Sequence, residues 1–206
     1  VATGHTADDQ AETVLHRLVR GSGLRGLRGI APMVEVGGAT VIRPLLAVTR
    51  ADVLAYLAEL GQPFRTDSSN ADPRFTRNRI RADVLPLLKT FNPDVVAALN
   101  RAAEQASEAF GLVDRLAADL LARAELPRAA DLVVIDAATL TAADPLLARE
   151  AIRALWEREG WPTHQFRAAH WYRVIAVANG DPPAADFPGG VAVRRVGRVV
   201  RLGRRS

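Results

Sequence analysis

Cysteine is absent from the 206 residues, which carry one methionine, a single lysine (Lys89) and only 5% aromatic residues. Its absence excludes a disulfide scaffold, a thiolate zinc site, an iron–sulfur cluster and a cysteine nucleophile. No apolar run approaches the roughly 18–20 residues of a membrane span, so no membrane partner is expected. No signal-peptide layout opens the chain, and the expected compartment is the cytoplasm. What is present is ordinary for a globular protein: 49% hydrophobic and 24% charged residues. The length allows one or two domains. Lys and Arg number 27 against 23 Asp and Glu, a net charge of +4. Nearly all of the positive charge is arginine, whose planar fork donates two bonds to one phosphate, so the balance points to a polyanionic partner.

Local patterning gives the organisation. Val1-Ala2-Thr3 running into Gly4 reads as the end of a buried strand. A helix follows at once, with Thr6 and Asp9 at capping-box spacing and Val14, Leu15, Leu18 and Val19 on one apolar face. Gly21 and Gly23 end it. A strand feeding a helix with nothing before it is the interior of an α/β domain, so a portion N-terminal to Val1 is expected. Next come a glycine-rich stretch from Gly21 to Gly29 and a strand over Ala39–Pro44. A helix capped by Thr49 and Asp52 follows, and Gly61 and Pro63 stop it. Residues 65–78 read as a polar loop. A helix resumes near Asn78, is interrupted at Pro86 and stops near Asn92. Asn92-Pro93-Asp94 starts another helix of about thirty residues. Its seam is Val96, Leu99, Ala103, Ala106, Phe110, Val113, Ala117 and Leu120, spaced to pack against another helix. Beyond it a small separate domain is predicted: a strand over Asp131–Asp136 and helices over Pro145–Glu159 and Thr163–Ala178. Trp156, Phe166, Trp171 and Ile175 are its core candidates. A turn at Asp181-Pro182-Pro183 leads to a terminal hairpin, Val191–Val196 and Arg198–Leu202, around Gly197.

Four clusters can carry chemistry. The densest runs from Gly4 to Thr13 at the strand-to-helix junction, where open α/β sheets place their ligands. Gly4 admits a ligand close to the backbone. Asp8 and Asp9 each share a helix face with Glu12, and such carboxylates orient an amino group by charge-assisted bonds. Acidic residues in a first turn also simply complement the helix dipole. A metal site from His5, Glu12 and His16 is a further alternative, without a known ligand pattern. The second cluster, Asn70 to Arg81, holds Arg74, Arg77, Arg79 and Arg81 beside a helix start, suited to phosphate or to solvent. The third is the run from Gly21 to Gly29, a phosphate nest or a flexible loop. The fourth is the C-terminal run of Arg194, Arg195, Arg198, Arg201, Arg204 and Arg205, a nucleic-acid contact or a solubilising edge.

These residues resemble a known family. The run from Thr3 to Gly29, TGHTADDQAETVLHRLVRGSGLRGLRG, is similar to the tRNA(Ile)-lysidine synthases. So are RPLL at Arg43–Leu46, DSSNADPRFTRNRIRADVLPLL at Asp67–Leu88 and, more weakly, FPGGVAVRR at Phe187–Arg195. The resemblance implies an α/β fold: an incomplete parallel-sheet ATP-pyrophosphatase domain over residues 1–91, a long linker helix over 92–128, and a small, mainly helical tRNA-binding domain with a C-terminal hairpin over 129–206. It implies that ATP, with Mg²⁺, adenylates the position-2 oxygen of the wobble cytidine in a tRNA(Ile) with a CAU anticodon. The ε-amino group of free L-lysine then attacks that carbon and AMP leaves. Asp9 and Glu12 are the expected catalytic residues, with Asp9 the proton acceptor. Asp8, Asp9, Glu12, Arg20 and Arg25 are expected on the substrates. Gly4, His5, Arg77, Asn78 and Arg81 are expected by the nucleotide, and no metal ligand is assigned.

One departure stands out. The family's phosphate-binding Ser-Gly-Gly-x-Asp-Ser motif is absent from the 206 residues. They are therefore expected to be inactive alone, with apolar surface around Val14 and Leu18 uncovered. The absence of cysteine argues strongly against a cysteine-dependent tRNA thiolase. A non-catalytic RNA-binding remnant and a helical interaction protein, dimerising through the long-helix seam, are the other readings. The lysidine reading requires the acidic turn and the arginine-dense segment to meet at one pocket.

Overall fold

A computed structural model describes residues 1–65 and 74–205, which divide into two compact units, Val1–Phe110 and Gly111–Ser206. In the first unit, helix α1 (Ala7–Val19) starts where Asp9 Oδ2 accepts from both the backbone N–H and the hydroxyl of Thr6, at 2.9 and 3.0 Å. The short helix α2 (Leu24–Leu27) lies within the glycine-rich stretch. Strands β1 (Met33–Val36) and β2 (Ala39–Ile42) pair antiparallel across Gly37-Gly38, both at positive φ, which the tight turn of a two-residue hairpin requires. A parallel bridge joins Ala2 to Ile42. The strand expected before Gly4 is therefore one bridge long. Val1 and Ala2 are exposed rather than buried, because no described element covers them.

Helix α3 (Arg50–Glu59) has its Thr49–Asp52 capping box. The loop expected over Asp67–Asn70 and Asp72-Pro73 lies outside the described residues. Helix α4 (Thr76–Arg79) starts two residues before the expected point. It continues through a π-helical turn (Ile80–Val84) into α5 (Leu85–Phe91). Pro86 does not interrupt the run. The wider turn lets Leu85 N–H bond to Ile80 O, so Pro86 falls in the first turn of α5, where a missing N–H costs nothing. Helix α6 (Val95–Ala124) follows. The core of this unit is Ala7, Ala11 and Leu15 of α1 against Ile80, Leu85 and Val96. The predicted apolar face of α1 is half right. Val14 and Leu15 are buried, but Leu18 and Val19 are 54% and 70% exposed, because the buried face is centred on Ala7, Ala11 and Leu15.

The second unit holds the end of α6 and helices α7 (Ala137–Thr141), α8 (Pro145–Arg158) and α9 (Ala168–Asn179). They accompany a five-stranded antiparallel sheet in the order β3-β4-β7-β6-β5. Its strands are β3 (Glu125–Ala129), β4 (Leu132–Asp136), β5 (Ala184–Phe187), β6 (Val191–Val196) and β7 (Val199–Arg204). The expected hairpin is β6–β7, and the structure adds edge strands on both sides of the sheet. All eight positions of the α6 seam are buried or half-buried. Trp156 is fully buried and meets Trp161, Phe166, Trp171 and Phe187, with ring centroids 4.8–5.9 Å away. This α/β architecture, with its long helix and terminal hairpin, is the fold class the sequence implied.

Candidate active site

The centre of the first unit is a four-charge cluster. Glu12, 1% exposed, points from α1 at the helical run that begins at Thr76. Arg77 Nε donates to Glu12 Oε2 at 2.9 Å. Arg81 grips both oxygens, Nε to Oε1 at 2.5 Å and Nη2 to Oε2 at 3.0 Å. Asp9 Oδ1 takes Arg77 Nη2 at 3.0 Å and Arg81 Nη2 at 3.3 Å. Two carboxylates and two guanidiniums balance, which is what lets a buried Glu12 persist as an ion pair. The bond from Arg81 to Glu12 holds the Arg81 guanidinium proton above the ordinary arginine value, against the opposing effect of burial.

Beside this cluster lies a broad open cleft of about 1440 Å³, lined by residues of the same unit. His5, Asp8, Arg25 and Arg77 line it, together with Arg17 and Arg28. His5 Nδ1 lies 2.9 Å from Thr3 Oγ1. Asp8 Oδ2 accepts the N–H of Arg50, the first residue of α3, at 2.7 Å, so one of its oxygens serves that helix start. Gly4 is exposed, and an added Cβ would meet nothing there. Arg81 turns away from the cleft to Glu12. Asn78 sits half-buried on α4, outside the cleft lining. Arg20 is exposed at the C-terminal end of α1, also outside it. The alternative metal grouping of His5, Glu12 and His16 does not form. The arginines occupy Glu12, and among the described residues no three acidic or histidine side chains cluster for a cation.

Two residues outside the predicted site organise the glycine-rich run. Gln10, 7% exposed, makes a two-point clasp on Ile30: its Nε2 donates to the carbonyl at 3.2 Å and its Oε1 accepts the N–H at 2.6 Å. Arg17 Nη1 donates to the carbonyls of Gly26 and Gly29 at 2.8 and 2.7 Å. Burial and the nearby charge of Arg28 lower the Arg17 pKa. Gly29 has φ +65° and packs on the Gln10 amide with no room for a side chain. The run is thus pinned, and it presents Arg25 and Arg28 to the cleft. The available signal was the helical spacing of Gln10 and Arg17, seven residues or two turns apart on α1.

Residues 1–88 match the family described as the PP-loop domain. Over most of its length the chain is similar to tRNA(Ile)-lysidine synthases. It is 41% identical to that of Dehalococcoides mccartyi over 196 residues, covering 91% of this chain and 41% of the relative. It is 38% identical to that of Solibacter usitatus over 210 residues, covering 98% and 46%. It is 34% identical to the bifunctional protein TilS/HprT of Listeria monocytogenes over 196 residues, covering 93% and 30%. The chain therefore spans less than half the length of these relatives.

Proposed function

We propose that this chain carries the amine-binding part of an ATP-dependent tRNA ligase, one that joins L-lysine to C2 of the wobble cytidine in a tRNA(Ile) with a CAU anticodon. The observation that carries the reading is the meeting of Asp9 and Glu12 with Arg77 and Arg81, 65 to 72 positions apart, beside one basic cleft. Activation of the cytidine oxygen by ATP turns a poor leaving group into a good one. What remains for the protein is to hold an ammonium, release its proton and aim the free amine at the carbon. Asp9 and Glu12 are the carboxylates for that, with Asp9, the more exposed of the two, as proton acceptor. Arg25 and Arg28 face the cleft for the RNA backbone. The PP-loop match supports the use of ATP. The described residues offer no grouped set of cation ligands, so Mg²⁺ in this reading arrives with ATP on phosphate oxygens and no step is assigned to it.

The 206 residues contain no Ser-Gly-Gly-x-Asp-Ser motif, so on their own they are expected to bind RNA and lysine without ligating them. The test is filter binding of a tRNA(Ile) transcript with a CAU anticodon, with and without L-lysine, against a transcript whose wobble cytidine is replaced by uridine. The expected result is preference for the cytidine transcript and tighter binding with lysine. Equal binding of both transcripts and of an unrelated tRNA, untouched by lysine, would instead support a non-catalytic RNA-binding protein. Incorporation of labelled lysine by these residues alone would refute the expected inactivity.

A further inference from the structure

Arg77 and Arg81 contact the same two carboxylates, yet their placements differ. Arg81 holds both oxygens of Glu12 from the π-helical turn and does not line the cleft. Arg77 reaches one oxygen of Glu12 and one of Asp9, its side chain is 41% exposed, and it lines the cleft. Charge balance limits how an amine can enter. The two guanidiniums already neutralise the two carboxylates, so an ammonium brought to Asp9 and Glu12 would leave a surplus positive charge beside a buried group. One guanidinium has to yield, and the one with solvent and cleft on its far side yields at the smaller cost.

We propose that Arg81 is a fixed positioning residue that holds Glu12, and that Arg77 is the exchangeable partner an incoming alkylammonium displaces from Asp9 and Glu12. The site is thus a cation-exchange pocket, closed by Arg77 when empty. The displaced guanidinium swings into the cleft, where it adds positive charge on the side facing an anionic substrate. This rests on the reading of Asp9 and Glu12 as the amine site. Among the described residues, the ionisable neighbours of Glu12 are Asp8, Asp9 and His16 on its own helix and Arg77 and Arg81 across from it, and of these only Arg77 is both bonded to the carboxylates and open to the cleft.

The test follows the arginine Nε–H signals by NMR during titration of the 206-residue chain with L-lysine and, separately, with n-butylammonium. The Arg77 signal should shift and lose its protection from solvent exchange, while the Arg81 signal stays in place. By calorimetry, Arg77→Gln should bind lysine at least as tightly as the unsubstituted chain. Arg81→Gln should bind at least about tenfold more weakly, and Arg81→Lys should recover most of that loss. Should Arg81→Gln fail to fold, Arg81→Lys and the two Nε–H signals still decide. A moving Arg81 with Arg77 unmoved, or equal losses in Arg77→Gln and Arg81→Gln, would overturn the exchange. Lysine binding with neither signal moving would overturn it while leaving the amine site standing. A response to butylammonium but not to lysine would sustain the exchange and sink the lysine reading.

Discussion

At the scale of single residues, the decisive feature is that Glu12 is the most buried charge among the described residues of its unit and has both oxygens bonded to arginine. A carboxylate so placed acts first as a structural element. Glu12→Gln keeps the shape but sets an amide N–H₂ against guanidinium donors and leaves two cations sharing Asp9. Removing one partner from a buried ion pair costs about 3–5 kcal/mol. Arg77 and Arg81 are 41% and 31% exposed, so water recovers part of that cost. The expected loss is about 2–3 kcal/mol, read from urea unfolding followed by far-ultraviolet circular dichroism. A change under about 0.5 kcal/mol, the size of an ordinary surface substitution, would mean that Glu12 is not the electrostatic centre of its unit. The same reasoning orders the two carboxylates. Asp9, at 21% exposure, has one oxygen committed to the Thr6 cap and the other to the arginines, so its substitution should also fray the start of α1.

Elements differ in how they are held, and that governs how legible they are in the sequence. Helix α3 buries none of its residues, so its start depends on the Thr49–Asp52 box. Thr49 donates its N–H and hydroxyl to Asp52, which holds that carboxyl below the ordinary carboxylate range. A depressed folded value means the contribution is complete above the unfolded pKa of about 3.9 and is lost as the pH falls through the lower folded value. Amide exchange protection at Asp52 and Val53 should therefore fall in acid, below about pH 4, and Asp52→Asn should flatten that dependence. An acid profile for Asp52→Asn that matches the unsubstituted chain would remove the box as its cause. Both capping boxes and the α6 seam are readable because they are local or periodic. Other elements are masked. β3 carries Pro127, which argues against a central strand but is tolerated at the edge it occupies. β5 is four residues long and follows Pro182-Pro183, so it offers almost no alternation. β1 is legible in principle from Val36-Gly37-Gly38-Ala39, a two-glycine hairpin signal that the strand prediction over Ala39–Pro44 does not use. At the site, residue types can be chosen from sequence. The bonding of Arg81 to both oxygens of Glu12 cannot, since it depends on a π-turn whose phase only the packed helix sets.

For the whole molecule, the two units are built on cores of unequal kind. That of the second joins α7, α8 and α9, the end of α6 and the five-stranded sheet around a fully buried Trp156. That of the first is the small set of Ala7, Ala11, Leu15, Ile80, Leu85 and Val96, beside an arginine–carboxylate cluster that contributes little net stability. Less apolar area leaves the water in the first unit, so the stabilising term available to it is smaller. All three tryptophans, Trp156, Trp161 and Trp171, lie in the second unit, so their fluorescence follows that unit alone, whereas helical circular dichroism follows both. Urea unfolding should therefore fail the test of coincident probes. The dichroism should begin to fall at lower urea than the fluorescence, with a first phase carrying the amplitude of α1, α3 and the helical run from Thr76 to Phe91. Glu12→Gln should move only that first phase. Superimposable curves from the two probes would show one cooperative unit and refute the ranking of the two cores.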